Sequence, residues 1–76
     1  MKVYIVEINN GEPYEDNFSW IDSAFKSHRI ASEYLLKEGY KPFLDRFMME
    51  EELRFELEID EYDTWFAKII EMELQE

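Results

Sequence analysis

LRFELEIDEYDTWFAKIIEMEL, residues 53–74, alternates apolar and charged side chains on both sides of a short turn signal, and the rest of the fold is built around this pattern. Successive side chains of an extended strand leave opposite faces. Leu53, Phe55, Leu57 and Ile59 therefore share one face, and Arg54, Glu56, Glu58 and Asp60 the other. The sequence DEYD supplies turn chemistry. From Thr64 the alternation resumes, with Phe66, Ile70, Met72 and Leu74 on one side and Trp65, Ala67 and Ile69 on the other. Lys68 interrupts the first set, so it is expected near an edge with its stem on apolar surface. The two runs predict an antiparallel hairpin. One face should be apolar and covered by a helix, the other open to solvent where the glutamates project.

At the N-terminus, KVYIVEI (residues 2–8) is rich in β-branched and aromatic residues and reads as a strand. Val3 and Ile5 point one way, and Tyr4, Val6 and Ile8 the other, as suits a central strand. Asn9-Asn10-Gly11 and Glu12-Pro13 mark a break. FSWIDSAF (residues 18–25) is a second strand, irregular near Asp22, with the first strand as partner. Ser27 can cap a helix and Gly39 can end it; between them Ile30, Ala31, Tyr34 and Leu35 make one apolar stripe. Residues 41–52 have two readings: a short helical turn or irregular linker after Pro42, which the late onset of alternation favours, or a strand already beginning over Arg46 to Met49. The prediction is an α+β fold, ββαββ, with a small antiparallel sheet of about four strands backed by one main helix.

A chain of 76 residues is expected to form a single domain, 1–76, with one small core. Cysteine is absent, which removes disulfides and thiolate metal sites and fits a reducing compartment. Six Phe, five Tyr and two Trp supply large rings for the core instead. No apolar run approaches a signal-peptide core or the roughly 18 residues of a membrane span, so a cytoplasmic protein is expected. The net charge of -11 is polarised along the chain: residues 1–49 contribute -2 and residues 50–76 contribute -9. Such a field repels nucleic acid and anionic lipid and steers cationic partners inward.

The acidic residues support several readings. In one, Glu56, Glu58, Asp60 and Glu61 are a solvated face, and Glu50, Glu51 and Glu52 keep an edge from pairing. That leaves a cost, because carboxylates two apart on a strand sit about 7 Å from each other. In the functional reading, Glu56, Glu58, Asp60, Glu61, Glu71 and Glu73, with the rings of Tyr62 and Trp65, dock on a basic protein surface, such as that of a nucleic-acid-binding protein. Charge would steer and the rings would anchor. Arg54 dilutes the resemblance of this row to a phosphate backbone. A third reading places one hard cation on Asp60, Glu61 and Asp63, as in a metal-dependent hydrolase or nuclease, but the segment lacks the loop length and central glycine of an EF-hand. A fourth is homo-oligomerisation through an uncovered patch or edge, as in a structural homodimer. No cofactor is expected. Nor is an enzyme: there is no cysteine nucleophile, no phosphate-cradling glycine loop and no histidine cluster. His28, the lone histidine, reads as an exposed first-turn residue. Trp20 and Trp65 each read first as core.

The order KVYIV, an aromatic segment, then AFKSHRIASEYLLKEGY resembles small uncharacterised domains encoded by phages and other bacterial mobile elements. In these, a leading strand precedes a helix with an Ala-x-x-Tyr/Phe-Leu stretch, here Ala31, Tyr34 and Leu35. The resemblance spans about half the chain and transfers no catalytic residues. In composition only, the acidic hairpin resembles phage proteins that inhibit host defence or nucleic-acid-handling proteins by occupying their DNA-binding surfaces. This implies an inhibitor as the expected role.

Overall fold

The N-terminal β-branched run forms β1 (Lys2–Asn9), and β2 (Ser19–Phe25) folds back beside it after a 3-10 turn at Tyr14–Asp16. The computed structural model describes residues 1–47 and 50–75. Then follow helix α1 (His28–Lys37), β3 (Lys41–Phe47), β4 (Glu50–Glu58) and β5 (Thr64–Glu73). The strands form one antiparallel sheet in the order β2-β1-β5-β4-β3. Among the described residues, no helix is long and apolar enough to cross a membrane.

The predicted irregularity in β2 is a register shift. Val6 sits opposite Ser23 and Glu7 opposite Ile21, which leaves Asp22 as the extra residue. The bulge turns Asp22 toward the helix, where Tyr34 Oη donates to Asp22 Oδ2 at 2.6 Å.

Helix α1 begins as its sequence dictates, with Ile30 N–H donating to Ser27 Oγ at 3.1 Å. It ends where Gly39 adopts φ 100, and Tyr40 N–H closes onto the Leu35 carbonyl at 3.0 Å. Ala31 and Leu35 are buried, while Ile30, assigned to the same stripe, is exposed at the margin. The core they join comprises Val6, Ile8, Tyr40, Phe55 and Ala67, with Trp20, Phe25, Tyr34, Leu57, Trp65 and Ile69 packed around it. Trp20 and Trp65 meet edge to face at 5.1 Å. His28 lies exposed at the first turn, its ring edge-on to Tyr4.

Residues 41–47 correct the expected linker: they form a fifth strand, so the order is ββαβββ. Periodicity missed it because KPFLDRF does not alternate apolar with polar and opens with proline. Pro42 is tolerated because β3 lies at the edge of the sheet. Met48 and Met49, part of the other reading of this stretch, lie outside the described residues. The β3–β4 ribbon contributes Phe55, 2 % exposed, to the core, but Leu44 (57 %) and Leu53 (40 %) farther along it stay open.

Candidate functional site

At one end of the sheet two loops lie side by side: residues 10–18 between β1 and β2, and residues 59–63 between β4 and β5. They meet because Asn9 at the end of β1 is opposite Phe66 at the start of β5. Their approach is tight. Gly11 takes φ +71, and a Cβ there would lie 2.2 Å from the Thr64 carbonyl oxygen.

Asparagines shape the first loop. Asn9 Oδ1 accepts from Gly11 N–H at 2.8 Å, and Asn10 Oδ1 accepts from Glu12 N–H at 3.1 Å and Phe18 N–H at 3.0 Å. Asn10 Nδ2 donates to the Asp16 carbonyl at 2.8 Å, and Asn17 Nδ2 to the Glu12 carbonyl at 2.9 Å. The loop presents Tyr14, 95 % exposed, with a positive φ of 53. A non-glycine residue pays conformational energy for that geometry. The second loop is an Asx turn: Asp60 Oδ1 accepts from Tyr62 N–H at 2.8 Å and Asp63 N–H at 2.9 Å. It presents Tyr62, 90 % exposed.

The two loops read Glu-Pro-Tyr-Glu-Asp (residues 12–16) and Asp-Glu-Tyr-Asp (residues 60–63), each a tyrosine flanked by acids, with no lysine or arginine in either. Glu12 meets Asp63 across the seam. Hydrogen bonding to that carboxylate, then its charge and those of Asp16 and Asp60, push the Glu12 carboxyl above the usual glutamate range. Glu58 at the end of β4 extends the acidic surface on the sheet face away from α1. Glu56 follows on that face, half-buried between Lys41 and Phe66 on the neighbouring strands. Among the described residues, none of these carboxylates has a lysine or arginine at ion-pair distance.

Of the residues singled out in the sequence, Glu56, Glu58, Asp60, Glu61 and Tyr62 gather at or next to this end. Trp65, Glu71 and Glu73 do not. Odd-numbered residues of β5 face the helix side, so Trp65 packs against Trp20 instead of standing beside Tyr62. Glu71 and Glu73 share that side at the far end of β5. There Tyr4 Oη donates to Glu71 Oε1 at 3.0 Å, which raises the Tyr4 phenol above its usual value. Lys2 stands 3.5 Å from Glu71, and the N-terminal ammonium 3.1 Å from Glu73. Sequence reasoning missed Glu12, Tyr14, Glu15, Asp16 and, as a docking residue, Asp63. The repeated acid–tyrosine–acid pattern was the available signal.

Asp60 Oδ1, a candidate cation ligand, already receives two backbone amides. Among the described residues, no group of three or more His, Asp or Glu side chains is arranged to hold a metal ion. Comparison of the chain with protein-family models, with curated proteins and with solved structures finds no match.

Proposed function

We propose that this protein is an interaction module whose acidic end docks on a basic protein surface, with Tyr14 and Tyr62 as anchors and the surrounding carboxylates as the steering field. The observation that carries this reading is the convergence of two acid–tyrosine–acid loops, remote in sequence, on one rigid seam at Gly11 and Thr64. Glu12 and Asp63 are held together at an energetic cost to the free protein, and a cation between them would remove that cost. Both tyrosines stand on loops fixed by side-chain hydrogen bonds, so little conformational entropy is lost when they bind. Tyrosine is among the residues favoured as hot spots, and a charged rim acts chiefly on encounter rate and selectivity.

A surface that normally receives phosphates fits this chemistry, so the partner class we favour is a nucleic-acid-binding protein, inhibited by occupation of its basic site. Affinity capture from host lysate would be run in parallel with the natural chain and with the variant Glu15→Lys, Glu58→Lys, Glu61→Lys, which spares the Asp60 turn. The expected partner is lost by the variant and binds the natural chain less tightly as salt rises. Tyr62→Ala and Tyr14→Ala each weaken it by about tenfold, roughly 1.4 kcal/mol. Nucleic acid competes for the same partner. A partner retained at full affinity by the charge-reversed variant would reject the surface.

A further inference from the structure

The ladder between β4 and β5 stops early. Phe55, Glu56, Leu57 and Glu58 pair with Ala67, Phe66, Trp65 and Thr64, and beyond Phe55 and Ala67 the two strands are no longer partners. β5 continues for six residues paired only to β1, and β4 for five paired only to β3. Among the described residues, the sheet thus contains a fork with a free strand edge on each side.

The charges explain where pairing ends. Continued in the same register, Arg54 would face Lys68 and Glu51 would face Glu71, two like-charge pairs that oppose the ladder. The intact ladders place opposite charges at four such positions: Lys2 faces Glu73, Glu7 faces Lys68, Lys41 faces Glu56 and Arg46 faces Glu51. The one like-charge pair among the described residues, Asp45 facing Glu52, is bridged by Arg54, 3.3 Å from Asp45 and 3.1 Å from Glu52.

The direction of the free backbone groups follows from two bonds. Ile59 N–H donates to the Asp63 carbonyl at 2.9 Å, so odd-numbered residues of β4 and β5 point their amides at each other. Leu74 N–H donates to the Met1 carbonyl at 2.7 Å, so even-numbered residues of β5 point to β1. Pro42, opposite Phe55, occupies a position in β3 that needs no inward N–H, as this phase requires. The N–H and C=O groups of Ile69, Glu71 and Glu73 therefore project from β5 into the fork.

The outer edges of the sheet are guarded, β2 by its bulge at Asp22 and β3 by Pro42. The β5 edge has neither device. Its charged side chains are engaged by its neighbour β1: Lys68 with Glu7 at 3.8 Å, Glu71 with Lys2 and Tyr4, and Glu73 with the N-terminus.

We infer that the free edge of β5 over residues 69–73 receives an extended segment of another protein, added as an antiparallel strand and carrying alternating basic and apolar side chains. Positions opposite Ile69, Ile70 and Met72 take apolar residues, and positions opposite Glu71 and Glu73 take lysine or arginine. Glu51, the facing-strand carboxylate on the same side of the sheet, is paired with Arg46 at 2.9 Å, so the choice of sign rests on Glu71 and Glu73 and on the overall acidity of residues 50–76. A second copy of this chain is disfavoured as the occupant by the net charge of -11 on each molecule. The surface lies at the opposite end of β5 from the acidic loops, so it stands or falls separately from them.

The test uses amide hydrogen exchange of the full chain, read by NMR, with the peptide acetyl-Lys-Val-Lys-Val-Val-amide and its glutamate counterpart. The lysine peptide should slow exchange at Ile69, Glu71 and Glu73 by roughly tenfold at millimolar concentration, and the glutamate peptide should leave it unchanged. Arg54→Thr with Glu51→Thr removes both like-charge pairs without setting a like charge opposite Arg46 or a carboxylate beside Asp45 and Glu52. That variant should protect Ile69 and Glu71 without peptide and lose the response to it. Equal effects of the two peptides, no protection by either, or protection that rises with protein concentration alongside dimer formation in sedimentation would each overturn the inference.

Discussion

The two arms of the sheet follow the same local rules and are held together differently. β1 and β5 pair along the whole of β1, under a helix, with opposite charges facing at Lys2–Glu73 and Glu7–Lys68. The β3–β4 ribbon reaches the core at Phe55 and then runs on without β5 beside it, leaving Leu44 and Leu53 open to solvent. Strand formation is set by alternation and β-propensity, whereas strand partnership is set by what stands opposite. Leu35, on the helix that covers the first arm, is a core residue; a leucine near the end of the second arm is surface.

The strongest test of this contrast compares two leucines. Leu35→Ala removes a fully buried side chain and should cost about 2–5 kcal/mol in urea denaturation, enough to unfold much of so small a protein. Leu44→Ala should stay within about 0.5 kcal/mol. Equal costs would mean that the ribbon is packed as tightly as the core.

Gly11→Ala strikes the seam between the two loops, where the added methyl meets the Thr64 carbonyl and the backbone requires a positive φ. A loss of about 2 kcal/mol is expected in thermal denaturation.

Tyr34→Phe removes the bond that ties the helix to the β2 bulge and should cost about 1 kcal/mol near neutrality. The Asp22 carboxylate raises the Tyr34 phenol from 10.0 to about 12. A group whose pKa is raised on folding contributes fully below its unfolded value and loses that contribution as pH rises through the folded one. The stability difference between natural chain and variant should therefore shrink between pH 10 and about 12.

The smallest expected effect is Glu12→Gln. The raised carboxyl pKa means that the folded state holds this proton more tightly than the unfolded chain does. Ionised at neutral pH, Glu12 opposes folding. The substitution should raise the melting temperature slightly at neutral pH, and the gain should vanish as pH falls below the ordinary glutamate range. A lowered melting temperature at pH 7 would show that Glu12 and Asp63 do not repel.

The hairpin, the helix with its Ser27 cap and Gly39 stop, the irregularity at Asp22 and the faces of β4 and β5 were all legible in the sequence. Each is a local pattern with a fixed period or a residue-specific backbone preference. β3 was not, because Lys41-Pro42-Phe43 shows no alternation and its strand character depends on the partner β4. Half of the acidic site was legible. Asp60, Glu61 and Tyr62 stand in one short turn, but nothing in the order of residues says that Glu12 to Asp16 lie against them. The charge polarity along the chain misled in the same way: loop 10–18 brings negative charge from the nearly neutral half to the acidic end, and Glu71 and Glu73 fold away from it.

Periodicity and capping chemistry act over a few residues, so residue order is enough to place the helix and every strand except β3 and to sort their side chains between faces. Which loops meet, which carboxylates gain a cationic neighbour and where a ladder must stop emerge only when the chain folds. Those outcomes depend on cross-strand partners, and a partner's charge acts only once the chain has brought it within a few ångströms.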